Sequence, residues 1–225
     1  MALLFKHAMP VGTLLLQDDH YRRINDICFR HLAGAWANYL EQIPHEWIDN
    51  VSNDHPDYGN AKYLQSLSQR GSHQSEEYSH SIAATLFSHV WLLSAANYFR
   101  LAIKLKNNAD KDLHDTVAIE KVGSPFQIAS ELNLSDDLCK VANDLHTARN
   151  TIAHLIEDRK DAYPLADLGF EQAYRFTETT WEVYCALLLH YGRPPDDDHW
   201  NIQTDRYQLP KSLNDAVAIA QAKRG

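Results

Sequence analysis

Glycine and proline are scarce in this chain. Eight of each in 225 residues, with no Gly-rich or Ser-rich tract, leave little material for flexible linkers or for the regularly spaced turns of an all-β protein. Cysteine is scarcer still: Cys28, Cys139 and Cys185 stand far apart, in odd number and without a CxxC pair. They suggest neither a disulfide framework nor a zinc ribbon, and a reducing compartment fits them. No apolar run of about 18 residues stands out as a bilayer span. The opening MALLFKHAMPVGTLLLQ is interrupted by Lys6, His7 and Pro10 and lacks a signal-peptide cleavage pattern. Excess positive charge is missing too. A formal net charge of −9 argues against a sequence-independent nucleic-acid coat, although an acidic body can still carry a small basic site. The expectation is a cytoplasmic protein of one domain, 1–225, with a single sizeable core.

What is present is helical periodicity. From Asp18 to about Glu41, Tyr21, Ile24, Ile27, Ala35, Trp36, Tyr39 and Leu40 recur mostly at three- and four-residue steps, with Asp18 or Asp19 as the expected N-cap. Pro44 then interrupts. Short helix-like pieces alternate with turn formers over 43–74, which reads as a helical insertion. A second long helix is expected from about Ser75 to Lys106, striped by Ile82, Leu86, Val90, Leu93, Asn97 and Leu101. Its middle, TLFSHVWLLSAANYFRLAI, is apolar nearly all round and therefore expected to be buried on more than one side.

A short helical connection through Gly123, Ser124 and Pro125 leads to a third helix, capped by Ser135 with Asp136 and Asp137 in its first turn. A fourth runs from about Asp167 to His190 and stops at Gly192, Pro194 and Pro195. The tail 192–225 adds an acidic loop and a short helix around LNDAVAIAQA. Four long helices without a convincing strand predict an all-α fold, an antiparallel four-helix bundle over about 18–191.

Cofactor chemistry finds no foothold. GxGxxG, Walker A and GxSxG are absent, so nucleotide cradles and the serine-hydrolase elbow lack support and no cofactor is expected. Thirteen histidines raise the question of a metal, yet no two lie three or four positions apart, the spacing that sets two imidazoles on one helical face. The single ExxH, Glu77 to His80, is half of what a di-iron bundle requires. No metal site is expected.

The third helix contains ARNTIAHLIED, residues 148–158. On an ideal helix its core stripe is Leu138, Val141, Leu145, Ala148, Ile152 and Ile156, and His154 points away from it in a row with His146, Asn150 and Asp158. Five residues advance a helix by about 140° beyond one turn, which places Arg149 at the edge of the stripe with a stem long enough to carry its guanidinium around. The bland reading is a solvated outer face with a snorkelling arginine.

Arg149-Asn150-Thr151-Ile152-Ala153-His154 resembles the motif of the HEPN superfamily, helical bundles whose ribonuclease members carry an Arg, four to six residues, and a His, usually with a polar residue after the Arg. Arg193 to His199 also has a permitted spacing, but it lies in a Pro- and Asp-rich loop without that polar residue. The resemblance implies a metal-independent endoribonuclease, a toxin or defence effector, working as a homodimer that joins two motifs in one cleft. It implies attack of a ribose 2′-OH on the adjacent phosphate of an RNA substrate. The residue types suit that chemistry: His154 as acid or base, Arg149 on the phosphate, and Asn150 orienting the imidazole or binding ribose or phosphate. His146 and Asp158 are secondary candidates.

Some toxins of the superfamily carry a Tyr two residues after the His, modified by a nucleotidyltransferase antitoxin. That position is Ile156 here, so a different antitoxin or regulatory partner is expected. The competing expectation is a catalytically inert bundle of the same kind that binds a partner or senses a ligand.

Overall fold

A computed structural model of the chain describes residues 11–42, 54–107, 122–154, 168–193, 195 and 199–224. Among them the regular structure is entirely helical: α1 (Val11–Leu40), α2 (Ala61–Asn107), α3 (Pro125–Glu131), α4 (Asp136–His154), α5 (Phe170–His190), α6 (His199–Arg206) and α7 (Leu213–Arg224). The region around Pro44, the segments containing Ile156 and Asp158, and the acidic loop at 196–198 lie outside the described residues.

Two expected boundaries are wrong. α1 starts at Val11, so Asp18 and Asp19 lie inside the helix and not at its N-cap; the Leu14–Leu16 run ahead of them is itself made of strong helix formers. α2 starts at Ala61, so the second half of the supposed insertion is the first part of the long helix. Gly71 does not stop it, since an interior glycine costs a helix only about 1 kcal/mol. Half-buried His73 and buried Glu77 already tie this part of α2 to α1: His73 Nδ1 lies 3.0 Å from Asn38 Oδ1, and Gln42 donates to Glu77.

α1 and α2 pack antiparallel along most of their lengths. Tyr21 faces Tyr98 with ring centroids 5.6 Å apart, Cys28 Sγ lies 3.1 Å from Ser88 Oγ, and His31 Nδ1 lies 3.0 Å from His80 Nδ1. α5 runs in the same direction as α2. The carboxylate of Glu77 accepts from the Phe170 amide at 2.7 Å, Ser88 Oγ meets Thr177 Oγ1 at 3.0 Å, and Phe99 stacks on Tyr191 at 5.3 Å. Glu77 thereby satisfies an otherwise orphaned N–H at the start of α5, where negative charge is favoured. The far end closes at Gly192, whose φ of +67° lets Arg193 N return to Leu188 O at 2.9 Å, the left-handed cap that glycine adopts without penalty.

The middle of α2 is indeed buried on several sides: Ala84, Thr85, Ser88, His89, Trp91, Leu92, Ala95, Ala96, Tyr98 and Phe99 are all buried, while Val90 is 41% exposed. One window of this helix is apolar enough to cross a membrane by composition, and 56% of it is buried inside the protein, as in a core helix. Its aromatic end packs with Tyr21, Val183 and Leu187. A second aromatic cluster joins Phe29 and Trp36 to Phe170 and Tyr174 and is completed by the C-terminal segment through Leu209, between α6 and α7, and Ala216 on α7. The tail after 192 is therefore built into the core. Tyr174 Oη donates to Pro210 O at 2.8 Å, and Tyr207 Oη donates to Asp26 at 2.6 Å.

Candidate functional site

α4 opens as its sequence indicates. Ser135 Oγ accepts from Leu138 N at 3.4 Å, and Asp136 and Asp137 occupy the first turn, where carboxylates oppose the positive helix end. Val141 and Leu145 are buried with Leu168 and Phe176, and Ala148 and Ile152 pack against that cluster. Ala142 is buried as well, on the side of Trp91 and Ala95. The buried face is thus wider than a single stripe, and its added width changes the position of the polar row. His146, Arg149 and Asn150 are half-buried, at the margin that turns toward α2. The row expected to face outward instead begins inside the protein.

These residues form one hydrogen-bonded line. Arg149 donates from Nη1 to Asn150 Oδ1 at 2.9 Å. Asn150 Nδ2 lies 3.0 Å from His146 Nε2, and His146 Nδ1 lies 3.1 Å from Nε2 of His89 on α2. The polarity of the line follows from its first member, because a guanidinium has only donors. Asn150 must present its oxygen to Arg149 and its amide to His146. His146 Nε2 therefore accepts, His146 Nδ1 carries the proton, and His89 Nε2 accepts in turn. His89 is left with its proton on Nδ1, a buried atom without a partner among the described residues. The two imidazoles lie nearly parallel, at 24°, with centroids 5.4 Å apart.

Burial pushes the His89 imidazole down to about 4, with the His146 ring and the Arg149 charge adding to the effect. His89 is therefore neutral at physiological pH, as the wiring requires. Arg149 reaches Asn150 although the two are neighbours in sequence, through the long stem that places it at the edge of the buried face. No carboxylate pairs with it among the described residues. Among the described residues Asn150 is the one hydrogen-bond partner its guanidinium shows, and a five-donor fork suits an anion.

Of the three residues expected to form the site, Arg149 and Asn150 are brought together. His154 is the last residue of α4, one helical turn beyond Asn150, and its side chain lies outside the described residues. His89 was absent from the expected site. The only signal for it in the sequence is a single imidazole inside the apolar run ATLFSHVWLL, and periodicity alone does not tell which of the other twelve histidines it meets.

The remaining reactive groups are occupied elsewhere. Glu77 and His80, the ExxH pair, diverge: Glu77 caps α5 and His80 pairs with His31. No group of three or more potential metal ligands occurs among the described residues. Cys28 is fully buried against Ser88 and Thr177, and burial pushes its thiol up to about 11, so it is a packed, protonated side chain and not a nucleophile. The line between α4 and α2 thus combines a fixed positive charge, an amide held at both ends, and two imidazoles in contact. Such a set can hold an anion and pass a proton. No protein-family model, curated protein or solved structure matches the chain.

Proposed function

We propose that this chain is a metal-independent endoribonuclease of the HEPN type, an antiparallel four-helix bundle that acts as a homodimer in the cytoplasm as a toxin or defence effector. The observation that supports this reading is the fixed placement of Arg149 and Asn150 side by side on α4, one turn before His154, with the Asn150 amide also held by His146. In the proposed reaction a histidine takes the proton from a ribose 2′-OH. The 2′-oxygen attacks the adjacent phosphorus, the bond to the 5′-oxygen breaks, and the leaving oxygen receives a proton. The products are a 2′,3′-cyclic phosphate and a 5′-OH. Arg149 holds the phosphate and offsets charge growing on its oxygens, and Asn150 keeps the guanidinium aimed. One His154 serves as base and the partner's copy of the same residue as acid, which is why a symmetric dimer completes the site.

A second reading, an inert bundle of the same fold that senses a ligand or binds a regulatory protein, is favoured by the inward direction of the hydrogen bonds from Asn150 and His146. Incubating the purified protein with mixed RNA in EDTA separates the two. The first reading expects cleavage to cyclic phosphate ends, lost in both Arg149→Ala and His154→Ala. Activity that survives either change refutes the site, and a folded wild type that leaves RNA intact favours the second reading.

A further inference from the structure

We infer that His89, on α2, is a positioning residue for the α4 site: by accepting from His146 Nδ1 it anchors the inner end of the line that Arg149 orients from the outer end, and so holds His146 in one tautomer and Asn150 in register with Arg149.

Among the described residues His146 links the buried end of the line to its charged end. An imidazole turns about a broad, roughly two-fold side-chain torsion, and a half-turn puts Cε1 where Nε2 was, so a ring without a fixed partner does not keep Nε2 on Asn150. His89 removes that freedom. Its Nε2 lies 3.1 Å from His146 Nδ1, and its own ring is 4% exposed and immobilised by the packing around α2. With the Nδ1 proton of His146 engaged there, Nε2 is the lone-pair face offered to Asn150, and the Asn150 amide donates to it. That arrangement agrees with the one Arg149 imposes on the Asn150 oxygen from the outer end.

The opposite wiring would set the Asn150 amide hydrogens against the guanidinium, donor against donor. Three short contacts thus transmit the position of a residue in the core of α2 to a guanidinium at the margin of α4. The burial of His89 adds a second reason to assign it a role. A histidine is placed where burial leaves its Nδ1–H without a partner among the described residues, an arrangement that costs stability and that a leucine would avoid.

The part of this inference that concerns cleavage rests on the proposed ribonuclease reading; the part that concerns the tautomer does not. The test compares His89→Gln, whose side-chain oxygen can replace Nε2 as acceptor, with His89→Leu, which fills the space without an acceptor and removes the buried N–H. Both variants are first shown to be folded by circular dichroism and size exclusion. Nitrogen-15 spectra of the His146 ring then report its tautomer directly.

The expected result is a single Nδ1–H tautomer in the wild type and in His89→Gln, and a mixture in His89→Leu. On RNA, His89→Leu is expected to lose about tenfold in kcat at unchanged KM, the size of one lost hydrogen bond in the site. His89→Gln should stay within about threefold of the wild type. An unchanged His146 tautomer in His89→Leu overturns the inference, and so does an equal loss of kcat in both variants. If the wild type cleaves no RNA, the ribonuclease reading fails and the nitrogen spectra alone decide the positioning role.

Discussion

The same substitution should change stability in opposite directions at two glycines of the long helices. Gly34 in α1 lies under the His80 ring: a methyl group built there would stand 2.8 Å from Cγ, Cδ2 and Cε1 alike. Because all three atoms are equally close, the ring lies flat on the glycine, and turning it about its own bond does not clear the way. It must shift by roughly 0.5–1 Å to restore ordinary contact, a typical overpacking displacement costing about 1–3 kcal/mol. That shift also pulls His80 away from His31, 3.0 Å distant, at a cost of about 1 kcal/mol. Against this stands the gain from alanine in a helix, about 1 kcal/mol. The net effect of Gly34→Ala is a loss of about 1–3 kcal/mol.

At Gly71, inside α2, the added methyl group meets nothing within 4 Å, so only the helical gain of about 1 kcal/mol applies. Urea titration at constant m-value should separate the two variants by about 2–4 kcal/mol. In thermal melts Gly71→Ala should rise by about 2–4 °C while Gly34→Ala falls. Adding His80→Ala to Gly34→Ala removes the obstacle, so the glycine substitution should then become stabilising. Equal signs at the two glycines, or no reversal in the double variant, would refute the close approach of α1 and α2 at this point.

Acid should weaken the α2–α4 contact. Because the His89 imidazole titrates at about 4 in the folded protein and near 6.5 when unfolded, its contribution is fully present above pH 6.5 and is lost as pH falls through this window, where the unfolded chain binds the extra proton. The loss should approach about 2–3 kcal/mol by pH 4, and the difference between wild type and His89→Gln should trace it; parallel pH profiles of the two would contradict the burial of this ring. Cysteine labelling offers a separate check. With its thiol buried and raised to about 11, Cys28 should resist a thiol reagent at pH 8 in the native protein and react only on denaturation, as peptide mapping against half-buried Cys139 and Cys185 would show.

The helices themselves were legible because their apolar residues repeat at helical spacing and their ends carry strong local signals. Ser135 caps α4, Ser124 caps α3, and Gly192 ends α5, all through short-range chemistry that needs no knowledge of the fold. The start of α2 was not legible, since SQRGSH around Gly71 has the composition of a turn, and it is the contact of the following turns with α1 that holds it helical. The outward row on α4 was misplaced for a related reason. A three-to-four stripe locates the centre of the buried face but not its width, and Ala142, too small to weigh in a periodic pattern, extends that face to His146. Arg149 and Asn150 could be named from their own helix. His89 could not, because its role depends on which helix lies across from it.

His80 and His89 lie nine positions apart on α2, about two and a half turns, and so point to opposite sides of the helix. One meets α1 through His31 and the other meets α4 through His146. Insertion or deletion of a single residue between them would rotate one contact by about 100° relative to the other, and no side-chain substitution could restore both. Divergence of this protein is therefore expected to proceed by replacement within this interval and by length change only in its loops, which makes the interval between the two imidazoles a more durable mark of the architecture than the short motif on α4.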